Sequence, residues 1–235
     1  MKKFLSLALL AMLAGSANAA IVLEDDFSYA DGDLVGNGSW TNHSGSDSLI
    51  QVQSGAVVLE HGGGSREDVG ATFATQTLGV LTATFDLTVN DDTPISGGDY
   101  EYFAHFMTEG SFNFTSRLDA IESGSGDYTL GLATTSSTAE VELASALTFG
   151  TTYAVELTYD FGTGLSGLSV DGSAPVFSTT PVFQADLNRF AFRQSNSSND
   201  ETITIDNLAV SAVPEPSSLA VVGLGLFAFA RRRRV

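Results

Sequence analysis

The chain has 235 residues, with 10 Lys and Arg against 28 Asp and Glu, for a formal charge of −18. So acidic a chain lacks the basic footprint that nucleic acid requires, and the absence of cysteine excludes disulfides, thiolate zinc sites and thiol chemistry. With 43% hydrophobic and 10% aromatic residues it can bury a core.

Residues 1–19 have the layout of a secretory signal peptide: Lys2 and Lys3, an apolar run from Phe4 to Leu13, then Ala17-Asn18-Ala19 as the small-x-small site. Cleavage by signal peptidase is expected before Ala20, because the apolar run is too short to span a bilayer comfortably. The charge distribution agrees. Residues 20–213 hold only Arg66, Arg117, Arg189 and Arg193 against 27 acids, a net of −23, and the other cations sit at the two ends.

In the body, 20–212, alternation with a period of two dominates and no long helical period occurs. In Val80–Asn90, Leu81, Ala83, Phe85, Leu87 and Val89 face one way and Thr82, Thr84, Asp86, Thr88 and Asn90 the other. Tyr153, Val155, Leu157 and Tyr159 alternate similarly with polar or small residues. Further strands are predicted near 22–27, 48–53, 56–60, 70–76, 100–108, 114–121, 128–134, 139–143, 165–171, 189–194 and 201–211. Turn signals such as Asp31-Gly32, Ser54-Gly55 and Asp171-Gly172 separate them. The expected fold class is all-β, an antiparallel β-sandwich of jelly-roll type between the signal peptide and a short C-terminal hydrophobic helix. In the last strand Ile203 and Ile205 share one phase, Leu208 and Val210 the other, which predicts a bulge at Asp206-Asn207 that re-aims the Asp206 carboxylate.

The tail, 213–235, has three parts: Pro214-Glu215-Pro216, an apolar stretch from Leu219 to Ala230, and Arg231, Arg232, Arg233 and Arg234. Twelve apolar residues cover about 18 Å of a roughly 30 Å hydrocarbon layer, a marginal span that Ser217, Ser218 and the arginine stems extend. The arginines favour the cytoplasmic side and leave the body outside.

These three parts resemble the PEP-CTERM sorting signal of Gram-negative bacteria. The resemblance implies export across the inner membrane, transient anchoring, and processing by an exosortase during export with exopolysaccharide. The opening Leu23–Tyr29, the Gly38-Ser39-Trp40 that follows, and the closing Ile203–Val210 resemble the concanavalin-A-like lectin/glucanase jelly rolls, particularly laminin-G-like members. That resemblance implies two packed sheets with terminal strands close together and a concave face that often binds carbohydrate.

Candidate sites follow. If the terminal strands meet, Asp25 or Asp26 on the first and Asp206 on the last offer hard oxygen ligands for a structural Ca²⁺. Arg189 and Arg193 share a strand face and, with Tyr100 and Tyr102, form a candidate binding set for an anionic sugar. No catalytic set is recognised. Glu140 and Glu142 share a face without the third acid of the jelly-roll glucanases, and Glu156-x-Thr158-x-Asp160 has threonine in the middle. His43, His61 and His105 lack metal-ligand spacing. The reading is an exported, non-enzymatic matrix or surface protein associated with exopolysaccharide; the alternatives are a glycoside hydrolase and a purely structural acidic protein.

Overall fold

The computed structural model describes residues 19–62, 66–91, 100–134, 138–194 and 201–214. Ala17, Glu215, Pro216, Arg231, Arg232, Arg233, Arg234 and the side chain of Tyr100 lie outside the described residues. Ala19, Ala20 and Pro214 lie inside them.

In chain order the strands are β1 (Ala20–Asp25), β2 (Gly32–Asp33), β3 (Trp40–Gly45), β4 (Gln51–Gln53), β5 (Ala56–Glu60), β6 (Glu67–Gln76), β7 (Val80–Asn90) and β8 (Tyr100–Met107). They continue with β9 (Thr115–Ile121), β10 (Thr129–Ala133), β11 (Val141–Glu142), β12 (Thr152–Asp160), β13 (Leu165–Val170), β14 (Val176–Phe177), β15 (Leu187–Arg193) and β16 (Thr202–Val213). Nine of them form one antiparallel sheet in the order β14-β13-β12-β7-β16-β5-β4-β2, with β1 also paired to β16. The other seven form a second sheet, β11-β10-β9-β8-β15-β6-β3.

The alternation written into β7 is realised. Leu81, Ala83, Leu87 and Val89 are fully buried and Phe85 nearly so, while the intervening Thr82, Thr84, Asp86 and Thr88 point outward. Their partners across the sandwich are the aromatics of the second sheet: Phe85 meets Phe190 at 6.2 Å between ring centroids, and Phe190 meets Phe106 edge-on at 5.3 Å. Trp40 stacks on Phe192 at 5.0 Å, with Phe27 tilted against both. Burying these aromatics is the main favourable contribution to a two-sheet fold.

β16 organises the larger sheet. One edge pairs with β7 along its length; the other pairs first with β5 (Thr202–Ile205) and then with β1 (Leu208–Ala212). The predicted bulge falls at the change of partner, where the register slips between Asp206 and Ala209 and Asn207 takes φ +53°. Asn207 Nδ2 donates to Asp86 Oδ2 at 2.9 Å, and the Asn207 N–H donates to Asp206 Oδ1 at 2.7 Å.

The structure adds three strands to those expected: β3, and the two-residue β2 and β14. The strand expected over 139–143 shrinks to β11, although the N–H groups of Glu140 and Leu143 still donate to the Leu132 and Leu130 carbonyls of β10 (2.9 Å each), and the Glu140 side chain reaches another segment. Its carboxylate accepts hydrogen bonds from Thr134 Oγ1 (2.8 Å) and from the N–H groups of Thr179 (2.7 Å) and Thr180 (3.2 Å).

Candidate ligand-binding face on the seven-stranded sheet

Because strand side chains alternate, every residue of β15 that does not point at the core points to the outer face of its sheet. Phe190 and Phe192 point inward, so Arg189, Ala191 and Arg193 point outward. The register then selects the neighbours on that face: Asp68 opposite Arg193, Gly70 and His105 opposite Ala191, and Tyr102 opposite Asp119. Arg117 lies two residues before Asp119 and shares its phase.

The centre is Tyr102, which is only 3% exposed. The Arg193 guanidinium carbon lies 5.1 Å from its ring centroid and that of Arg117 lies 5.6 Å away. Arg117 is also 5.6 Å from the Phe114 ring. Such contacts hold guanidinium groups flat against aromatic faces. Arg193 further approaches Asp68 at 3.7 Å, and Asp68 accepts from Ser44 Oγ. Burial pushes the Asp68 carboxyl above its ordinary value against the opposing effects of Ser44 and Arg193. Burial likewise raises the Tyr102 hydroxyl, so it stays protonated.

Two imidazoles complete the face. His43 and His105 meet edge-to-face at 6.2 Å, and His105 packs on Phe114 at 4.6 Å and Tyr102 at 5.1 Å. Their four ring nitrogens are buried without hydrogen-bond partners. Burial, and then the Arg189 charge, pushes His43 down to about 4. Burial, followed by His43 and the three arginines, pushes His105 well below its ordinary value. Both are therefore neutral at pH 7 and add no charge to the face.

Of the expected binding set, the structure brings Arg193 and Tyr102 together and sends Arg189 elsewhere. Arg189 is 3% exposed; one of its terminal nitrogens donates to the Thr41 carbonyl and Thr41 Oγ1 (2.6 Å each) and to the Gly70 carbonyl at 2.9 Å. It ties β3 and β6 to β15 rather than forming a clamp with Arg193. Tyr102 is a buried support for two cations rather than an open stacking surface. Arg117, His43, His105 and Phe114 are members that the strand pattern alone did not single out. The available signal was the pair of charges Arg117 and Asp119 in phase within a strand otherwise made of small and apolar residues.

The residues proposed as calcium ligands are placed on separate hydrogen bonds. Asp25 Oδ2 accepts from Trp40 Nε1 (2.7 Å) and the Tyr29 hydroxyl (2.9 Å), while Oδ1 accepts from the Phe27 N–H (2.8 Å). Asp26 caps the Ser28 N–H, and that hydrogen bond holds its carboxyl below the ordinary value. Asp206 is paired across β7 with Asp86, on the side of β16 away from β1. The terminal strands do meet, with both Asp25 oxygens accepting protein donors and one oxygen each of Asp26 and Asp206 doing so. Among the described residues no three His, Asp or Glu side chains gather as a metal-binding group.

The acids weighed for hydrolysis are also dispersed. Glu140 staples the 178–180 segment, where its hydrogen bonds outweigh the effect of burial and hold its carboxyl below the ordinary value. Glu142 sits on β11, and Glu156, Thr158 and Asp160 line a groove of about 430 Å³ on the other sheet with Val80, Leu165 and Phe177.

The fold and tail together define a lectin-like β-sandwich carrying a sorting signal. Residues 212–234 match the PEP-CTERM protein-sorting motif, which implies processing by an exosortase and sorting to the cell surface. The body is similar in fold to peanut lectin, at 12% identity and a TM-score of 0.54, over 84% of this chain and 98% of that one. It is similar also to the acidic lectin of winged bean, solved with methyl-α-D-galactose, at 11% identity and a TM-score of 0.55, over 84% and 100%. A sialidase matches at 18% identity and a TM-score of 0.57 over 84% of this chain, which corresponds to 19% of that protein's length. No curated protein matches the sequence.

Proposed function

We propose that the chain is a non-catalytic, exported matrix or surface protein whose body binds an acidic extracellular polysaccharide through the outer face of the seven-stranded sheet. Signal peptidase removes residues 1–19, and an exosortase removes the tail beyond about Val213. The observation that carries this reading is the placement of cations. Of the four arginines in a body of net charge −23, Arg117 and Arg193 meet over Tyr102 on one sheet face, beside the carboxylates Asp68 and Asp119, while Arg189 is buried on the same face as a tie between strands. A planar guanidinium held over Tyr102 matches a uronate carboxylate or sulfate with two parallel hydrogen bonds. Arg193, with a third of its side chain exposed, is the group such a ligand reaches first.

The test is co-sedimentation of the purified protein with exopolysaccharide from the producing organism, with reducing ends assayed in the same tubes. Binding should weaken with salt. It should fall about tenfold or more in an Arg117→Ala/Arg193→Ala variant, the loss of roughly 1.4 kcal/mol. Binding indifferent to both arginines would overturn the assignment of the face. New reducing ends would make the protein a glycoside hydrolase, and no binding would leave a structural role. Protein recovered from the producing cell should begin at Ala20 and end near Val213; an extracellular chain still carrying Arg231–Arg234 would refute tail removal.

A further inference from the structure

Among the described residues five large hydrophobic side chains are exposed: Ile21, Leu78, Phe112, Phe177 and Phe183. Four of them ring one end of the sandwich. β1 runs antiparallel to β16, so Ala20 lies opposite Ala212 and Ile21 opposite Ser211, where the last strand finishes. The β6–β7 turn carrying Leu78 abuts the same place, since Val80 pairs with Val213 and Gly79 packs on the Val213 carbonyl. The Gly79 carbonyl in turn accepts from the Phe161 N–H (3.0 Å) in the β12–β13 turn. Phe183 lies against Gly164 of that turn, 3.2 Å from where a Cβ would stand, and the Val182 N–H donates to the Gly164 carbonyl at 2.8 Å. Gln184 accepts from Asn113 Nδ2 (2.8 Å), which places the β8–β9 turn and Phe112 beside it. Phe112 is 74% exposed and Phe183 69%.

Both ends of the body leave from this rim, and each continues into an apolar segment. On the C-terminal side only residues 215–218 separate Pro214 from Leu219. Four extended residues span at most about 14 Å. The headgroup layer on each side of a roughly 30 Å hydrocarbon core is about 6 Å thick. A tail entering a bilayer at Leu219 therefore keeps the rim within about 8 Å of the headgroup surface, close enough for its side chains to reach the interface. The turns of this end contain no lysine or arginine, whereas Glu109, Asp160 and Asp186 lie among them.

We propose that this end of the sandwich is a membrane-facing rim. Ile21, Leu78, Phe112 and Phe183 dip into the interfacial layer of a zwitterionic phospholipid bilayer, and the strands stand along the membrane normal. Both outer sheet faces then open sideways, free for extracellular ligands. Three carboxylates in turns that hold no cation of their own disfavour anionic lipid, so the occupant is neutral phospholipid. The tether raises the local concentration of lipid at the rim, so individually weak insertions suffice. The proposal rests on the reading of residues 219–230 as a membrane-entering segment.

The absence of cysteine permits a clean test. Full-length chains carrying Leu78→Cys, Phe183→Cys or, on the outward side of mid-β7, Thr84→Cys are labelled with a polarity-sensitive fluorophore. They are then reconstituted into phosphatidylcholine vesicles containing a nitroxide-labelled lipid. All three substitutions fall outside the core, and the label at position 84 reports the same fold. Labels at 78 and 183 should be quenched at least twofold more than the label at 84, and the contrast should shrink when phosphatidylglycerol replaces half the lipid. Equal quenching at all three sites would lay the body on its side and overturn the proposal. Quenching at none would lift the rim off the lipid and overturn it while leaving the tail reading intact. Chains that fail to float with the vesicles would overturn both.

Discussion

Asp25 makes the sharpest test of what holds the body together. Its carboxylate accepts three donors, one of them the indole N–H of Trp40, which is 1% exposed. It also caps the segment where Phe27, fully buried between Trp40 and Phe192, is held at φ +51°. Replacing Asp25 by alanine strands a buried indole N–H and releases a strained backbone. A hydrogen bond to a charged acceptor contributes about 1.5–3 kcal/mol and a buried orphan donor costs about 1–3. Tyr29, half-buried, recovers part of its loss from water. The net expectation is a loss of about 3–4 kcal/mol, or a fall in Tm of about 6–16 °C for a domain of this size. Asp25→Asn, which keeps one accepting oxygen, should lose about 1–2 kcal/mol. Thermal and urea unfolding with and without EDTA measure both. An Asp25→Ala protein melting within about 2 °C of the parent would refute the hydrogen-bond account. A parent whose melt drops in EDTA, with the response abolished by Asp25→Ala, would restore the calcium reading.

The paired imidazoles predict a pH dependence. Because His43 and His105 are held neutral in the folded protein, the unfolded chain binds protons that the folded chain refuses as pH falls below about 6.5. Their contribution is therefore level above about pH 6.5 and declines toward pH 4, where His43 itself begins to titrate. Denaturation midpoints at pH 7.5, 6 and 5 should fall less steeply in His43→Asn, and identical slopes would refute the assignment. Gly79→Ala should destabilise by about 2–4 kcal/mol, since φ is +79° and the new Cβ collides with the Val213 carbonyl. Gly172→Ala, at φ +69° but with open space around it, should cost only about 1–2 kcal/mol by the same unfolding assay; equal losses would show that the collision is relieved without cost.

Strands that expose one face to water were legible, because β7 and β12 write the inside and outside of the sheet into alternate letters. β3 was not. Its sequence, Trp-Thr-Asn-His-Ser-Gly, reads as a polar loop, and only the fold reveals that His43 faces other rings while Asn42 donates to Glu67. The bulge at Asp206-Asn207 was visible as a phase change, but its cause, the exchange of β5 for β1, is a long-range fact. Arg189 and Arg193 are equivalent in the strand pattern. What separates them are acceptors 119 and 148 residues away in sequence, which no local period reports. The sorting motif needs no fold to be read, so it was the most legible feature of the chain.

The position of β16 has a consequence for the order of events in folding. It is the last strand of the body and the one to which β7, β5 and β1 all attach. A chain delivered N-terminus first cannot join these three until residue 213 is free, so the nine-stranded sheet lacks its central member until the whole body has been delivered. Its pairing with β1 closes a loop of nearly the full domain, the kind of distant contact that makes folding slow. At that moment the next residues to emerge are the tail. If the tail tethers the chain as proposed, the delay in departure would give the slowest step of folding time to finish beside the membrane, and a cut beyond Val213 would remove no rung of the β7–β16 ladder.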